Sequence, residues 1–330
     1  MFIERFQKNF ANSQLTLAIA VLAAVFSWIA AVSTTSVPEN TVSETYKIWE
    51  IITSYRGDVM LPAIGICAFS LICFLLVEFN IRFDIIRKRT TLHVSFFLFF
   101  CACFPEVLRD VWGMTAALGI LLATFNLFQA YHKRYASYSV FYSFLFLGLS
   151  FIALPHLLTL IPLFLWGMYK LQSFSMRTFL AAALGFAFPL WILFCHAFYH
   201  EQMELFYAPF TMFTETFASG VFEPDFRTIP AFAFIIIVFV VGIIHYLCTS
   251  FDDKLMTRSY MGFITGLIVW LLCSCVHAQE NERLLPTLFV FVSLIWCHFT
   301  VLSQKLYASI IFALIFIAMI ALFLSNFLYY

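Results

Sequence analysis

The run FPEVLRDVW (104–112) sets Glu106, Arg109 and Asp110 between two strongly apolar stretches. Carboxylates at a membrane boundary do one of two things. In a recessed aqueous cavity, a carboxylate takes a proton from an acceptor hydroxyl or binds a cation. At a helix end, it complements the positive N-terminal dipole. The spacing fits both. With Pro105 at the first helical position, where its missing N–H costs nothing, Glu106 falls in the first turn. Arg109 then lies within ion-pair reach, and Asp110, four residues on from Glu106, shares the same face. Trp112 suits an interfacial aromatic belt.

Further acids gather in segments assigned to the same side: Glu39, Glu44, Glu50, Asp58, Glu201, Glu204, Glu215, Glu223, Asp225, Glu280 and Glu282. Arg56, Arg109, Arg227 and Arg283 accompany them and suit phosphate binding. The arrangement resembles, in architecture and without a diagnostic motif, the polytopic glycosyltransferases that take sugar from a polyprenyl phosphate. That resemblance implies Glu106 or Asp110 as base or metal ligand. It implies Arg109, Arg56 and Arg227 as contacts to the phosphate of a polyprenyl-phosphate-linked substrate. No cofactor is evident, and a divalent cation is the one group this enzyme reading would admit. The plainer alternative is that acids accumulate outside because basic residues are retained inside.

Other ligand types are sparse. The histidines (His93, His132, His156, His196, His200, His245, His277 and His298) are scattered, and His196 and His200 alone stand four apart. A metal there needs a third ligand, with Glu204 the candidate; an interfacial histidine pair without metal is the favoured reading. The nine cysteines occupy apolar runs without C-x-x-C spacing, which reads as small buried hydrophobes rather than a disulfide framework or a thiolate metal site.

The elements that must position these residues are helices in lipid. The 330 residues are 63% hydrophobic and only 11% charged, where a soluble domain carries about 25%. Apolar runs of about 20 residues recur along the chain, so the expected fold is an all-α integral membrane protein and not a β-barrel. Its net charge of zero gives no ground for nucleic acid, and membrane lipid is the expected surrounding partner. The chain reads as one polytopic domain, 1–330, with outer loops at 34–58 and 199–230. Eleven segments are candidates to cross: 14–33, 59–79, 91–104, 111–131, 138–154, 157–170, 178–198, 231–249, 260–276, 286–302 and 307–327. The first is too long for a signal-peptide core and reads as a retained span.

Most Lys and Arg fall on one side: Arg5 and Lys8, Arg82 to Arg89, Lys133 and Arg134, Lys170 and Arg177, Lys254, Arg258 and Lys305. That side is cytoplasmic, with the N-terminus, and an eleventh span leaves the C-terminus outside. Segment 91–104 is short, about 24 Å from Arg89 to Pro105 against a core of about 30 Å. The pair 138–154 and 157–170, turning at Pro155 and His156, is short too. Such pieces are half-spans packed in protein or spans in thinned bilayer. Tyr46, Trp49 and Ile52, and again Met203, Phe206 and Phe210, repeat at helical spacing, as in amphipathic helices on the outer interface.

Three stretches carry a family resemblance: EFNIRFDIIRKRTTLHVSFFLFFCACFP, FLGLSFIALPHLLTLIPLFLWGMYKLQSFSMRTFLAAALGFAFPLW and CHFTVLSQKLYASIIFALIF. They resemble an uncharacterised family of polytopic inner-membrane proteins of Bacteroidetes-type bacteria. The resemblance implies the bacterial inner membrane and supplies no activity. After its proline the family is mostly uncharged, where this chain has EVLRD.

Several smaller expectations follow from the same runs. No Asp, Glu, Lys or Arg falls at mid-membrane in these segments, which disfavours an ion-driven carrier. Only 11 glycines argue against small-residue packing as a theme. Asn126 and Gln129 are expected to bond to neighbouring helices. The basic run RFDIIRKRT reads as a topology anchor. Three functions remain in view. A cell-envelope enzyme requires the outer acids to converge, a scaffold predicts them dispersed on a solvated rim, and a lipid or small-molecule transporter predicts a passage to the basic face.

Overall fold

The computed structural model describes Phe10 and residues 15–34, 57–88, 90–133, 135–219, 229–275, 281–303 and 306–328. The described residues are helical, joined by short turns. In chain order the helices are α1 (Leu15–Thr34), α2 (Gly57–Phe83), α3 (Leu92–Cys103), α4 (Pro105–Arg109), α5 (Val111–Gln129), α6 (Ser137–Ala153) and α7 (Ile161–Lys170). They continue with α8 (Met176–Tyr199), α9 (Glu204–Ser219), α10 (Ile229–Thr249), α11 (Leu255–Cys275), α12 (Leu285–Leu302) and α13 (Leu306–Leu328). Short 3-10 turns occupy Pro155–Leu160, Ser250–Asp252 and Asn281–Leu284. Each of the eleven apolar segments contains helix. Seven are long and apolar enough to cross a membrane: α2, α5, α8, α10, α11, α12 and α13.

Among the remaining pieces α3, α4 and α7 are short. In α3 all 12 residues are buried, so this short helix is sheathed by protein. It packs on α1, α2, α12 and α13. The α12 helix is likewise buried at every position from Leu285 to Val301. Elsewhere in the bundle α1, α2, α8 and α13 turn large apolar side chains outward, among them Leu22, Phe74, Trp191 and Ile317. That is the pattern of helices facing lipid. The amphipathic piece with Tyr46, Trp49 and Ile52 lies outside the described residues. The second is α9, which packs on α8 and on the Pro155 turn, with Phe206 meeting Phe194 at 5.5 Å and Phe210 meeting Phe151 at 5.4 Å.

Close packing comes from two sources. Aromatic rings fill one layer: Phe79, Phe83, Phe125, Phe128 and Tyr260 join α2, α5 and α11, with Phe128 and Tyr260 stacked at 4.2 Å. Glycine supplies the other, against expectation. Although few, the glycines stand where helices cross. A Cβ on Gly148 of α6 would lie 2.9 Å from Pro189 Cγ of α8, and one on Gly185 of α8 would strike the Phe141 carbonyl of α6. On Gly242 of α10 it would lie 2.6 Å from Ile295 Cγ2 of α12. Small polar side chains add interhelical bonds: Ser27 Oγ donates to Ala102 O at 2.9 Å, Ser143 Oγ to Ala123 O at 2.8 Å, and Tyr260 OH to Phe128 O at 3.1 Å. Asn126 does not reach a neighbouring helix as anticipated; its amide donates to Leu122 O on its own helix at 2.8 Å.

The cysteines are free thiols. Cys101, Cys103, Cys275 and Cys297 are buried, but Cys67, Cys195, Cys248 and Cys273 point outward, so burial describes only part of the set. The reciprocal α6–α8 contact makes a direct prediction. Gly148→Ala and Gly185→Ala should each lower stability by about 1–3 kcal/mol through overpacking, read as a lower thermal unfolding midpoint in detergent.

Candidate functional site

The charged residues of FPEVLRDVW sit at a broken helix. The backbone of Phe104 (φ −132°, ψ 83°) interrupts α3, and Pro105 opens the single turn of α4 with Glu106 in its first turn, as its type predicts. The helix does not run on. Asp110 adopts φ −75°, ψ 94° and caps α5, its side chain accepting from Gly113 N at 3.1 Å. Asp110 therefore does not share a continuous helical face with Glu106, as the spacing alone suggested. An N-cap aspartate answers backbone N–H groups that have no partner in the helix.

A third element closes on this junction. The Asn281–Leu284 turn packs on the start of α5. A Cβ on Gly113 would strike Asp110 Oδ2 and lie 2.7 Å from Arg283 O and 3.1 Å from Pro286 Cγ. Glycine is required here because three groups meet in the space of one side chain. The consequence is a small charged region: Glu106, Arg109, Asp110, Glu282 and Arg283 converge at one end of the bundle, all half-buried. A guanidinium in a half-buried place can grip a phosphate oxygen through its planar fork of donors. A half-buried carboxylate can reach a hydroxyl proton.

Among the described residues no other expected site residue is placed with them. Arg56 and Arg227 lie outside the described residues, as do Glu39, Glu44, Glu50, Glu223, Asp225 and Glu280. Glu201 and Glu204 are exposed at the α8–α9 turn. Nearby, the His196 and His200 rings lie 4.6 Å apart. Among the described residues no group of three His, Cys, Asp or Glu side chains is arranged to hold a metal ion, so Glu204 does not complete a set. An apolar depression of 530 Å³ between α8 and α9, lined by Phe188, Trp191, Phe194 and Phe206, carries no charged group.

The opposite end holds a cluster that sequence reasoning did not bring together. There the α2–α3 turn meets the α10–α11 turn. Arg87 Nε donates to Asp253 Oδ1 at 2.6 Å, although the two residues are 166 apart in sequence. The Asp253 side chain is fully buried, while that of Arg87 remains 36% exposed. Arg258 Nε donates to Asp253 O at 3.1 Å. The second carboxylate oxygen, Oδ2, faces His298 Nε2 of α12 at 3.7 Å. His245 and Tyr246 of α10 border the same imidazole, with ring centroids at 6.2 and 5.7 Å. Lys254 and Asp84 add an exposed pair at 2.9 Å. As sequence, Arg87 is one of several basic residues in a polar run and Asp253 one of two acids in a turn. Only a buried acid with a fixed partner marks them apart, and burial is not readable from either turn.

Compared with known proteins, the chain matches no family model, no curated protein and no solved structure. The capping role of Asp110 separates from any chemical one by substitution. Asp110→Ala should cost about 1 kcal/mol of stability, whereas Asp110→Asn, which keeps a capping oxygen, should leave it close to wild type. Thermal unfolding in detergent reads both.

Proposed function

We propose that the chain is a bacterial inner-membrane protein of eleven crossings, serving cell-envelope biogenesis with a working face at the Glu106 end. In this reading the N-terminus and the Arg87 end are cytoplasmic, by the distribution of Lys and Arg. The helices α1, α3 with α4, α6, and α7 with its preceding turn supply the four crossings beyond the seven long ones. Protein rather than lipid covers α3, which is what a short span requires.

The reaction class is glycosyl transfer from a polyprenyl-phosphate-linked sugar. Arg109 and Arg283 hold the phosphate. Glu106 takes the proton from the acceptor hydroxyl as its oxygen bonds to the sugar carbon and the polyprenyl phosphate departs. Asp110 positions the junction rather than acting as base. The observation that carries the reading is the convergence of α4, the start of α5 and the Asn281–Leu284 turn, which gathers both signs of charge in a half-buried place. A scaffold would have no use for that enclosure. A transporter would need a polar path between the two charged ends, and the intervening stretch of α12, from Leu288 to Trp296, is almost wholly apolar.

The test uses a variant lacking the four outward cysteines, with single cysteines placed at 106, 109 or 110. Labelling from outside by a small membrane-impermeant thiol reagent, with little by a bulky one, is the expected result. Equal labelling by both reagents would show an ordinary exposed helix end and remove the catalytic assignment. Labelling only from the cytoplasmic side would overturn the orientation.

A further inference from the structure

We propose that Asp253 and His298 form a proton-operated latch that holds the α10–α11 turn against the end of α12, with Arg87 as its fixed anchor. The geometry is a half-made interaction. Asp253 Oδ1 is committed to Arg87 at 2.6 Å. Oδ2 and both ring nitrogens of His298 are buried without a hydrogen-bond partner among the described residues. They lie at 3.7 Å, just beyond bonding distance. A neutral imidazole carries one N–H for two ring edges, and neither edge has an acceptor in reach. An imidazolium carries N–H on both, so protonation guarantees a donor facing Oδ2 and adds opposite charge. Closing the gap then needs a movement of well under 1 Å, small for a turn.

The surroundings leave this dyad poised rather than locked. Burial costs the charged imidazole most, Asp253 favours it, and a protonated His245 and Arg87 oppose it, so strong acid is needed to charge the ring. From α10, Tyr246 OH donates to Arg258 O at 3.3 Å and so ties itself to the same turn. From α3, His93 is engaged elsewhere, its Nε2 held against Leu76 O at 2.8 Å. The α5 helix presents no titratable side chain along its length, and the tyrosine that α11 turns towards α5, Tyr260, is bonded to Phe128 O. Histidine is the side chain whose ordinary titration lies nearest neutrality, and burial moves that of His298 into the acid range. The latch is therefore closed at low pH and lost as pH rises through the titration of His298.

The turn gives a place to read it. Phe251, two residues before Asp253, is 80% exposed. A nitroxide attached at Phe251→Cys, in the variant lacking the four outward cysteines, reports turn mobility by electron paramagnetic resonance in detergent. From about pH 8 to about pH 4 the ratio of immobilised to mobile populations should rise towards the roughly tenfold that one charge-assisted hydrogen bond sets, with most of the change in the acid half of the range. His298→Gln, which keeps a polar side chain and takes no proton, should flatten the response. His245→Gln should keep it with a shifted midpoint. A wild-type spectrum that does not change with pH would overturn the proposal without recourse to any variant. So would a response that survives in His298→Gln or vanishes only in His245→Gln. None of these readouts involves the Glu106 end, so the latch and the glycosyl-transfer reading stand or fall separately.

Discussion

The burial of α12 and α3 constrains everything else in this bundle. A helix surrounded by lipid on one side can be apolar and loosely packed there; one surrounded by protein must fit at every position. Lipid tails are as apolar as leucine, so no hydrophobic force gathers helices inside a membrane. Close van der Waals contact and internal hydrogen bonds must do it. That is why Gly242 lets Ile295 approach, why rings interlock between α2, α5 and α11, and why Ser27 of α1 bonds to the backbone of α3. Ser293 Oγ donates to Val290 O at 2.8 Å and Thr300 Oγ1 to Cys297 O at 3.0 Å, so these polar groups satisfy themselves within α12.

Both charged regions are made where buried elements end. At one end α3 breaks at Phe104, α5 needs a cap, and the turn leading into α12 folds over both. At the other, α12 arrives beside the α10–α11 turn and meets Asp253. A helix terminus in a membrane leaves backbone groups that water cannot reach, and charged residues are drawn to it. Asp110 answers that need with its side chain, while Arg87 answers the need of another side chain. The first stabilises a helix, and the second ties two turns distant in sequence. The difference explains why one end reads as a place to bind a ligand and the other as a place to respond to protons.

Much of the fold was legible because hydropathy and proline carry it. The α3 helix occupies Leu92–Cys103 where 91–104 was expected, and the turn at Pro155 and His156 divides α6 from α7. Pro105 opens α4, again as its type predicts. Legibility failed where two residues must meet across the chain. Asp253 and Arg87 look like rim charges because each sits among polar neighbours. Glycines were too few to suggest packing by composition, yet position matters more than number: Gly148 admits Pro189 of α8, and Gly185 admits the Phe141 backbone of α6. Asp110 was read by its spacing from Glu106, when its spacing to Gly113, the residue whose N–H it accepts, held the better clue.

The full enclosure of α12 bears on how the chain is assembled. Helices leave the translocation machinery in order of synthesis, and α12 comes after α3, α5, α10 and α11, the helices that surround it. Those four cannot close upon one another first without filling its place. They must wait, with the inward faces of Phe100, Phe234 and Leu267 temporarily against lipid, until Leu285–Leu302 emerges. The arrival of α12 thus converts a gapped ring into a solid bundle, and the nascent protein is a different object before and after that one helix is in place.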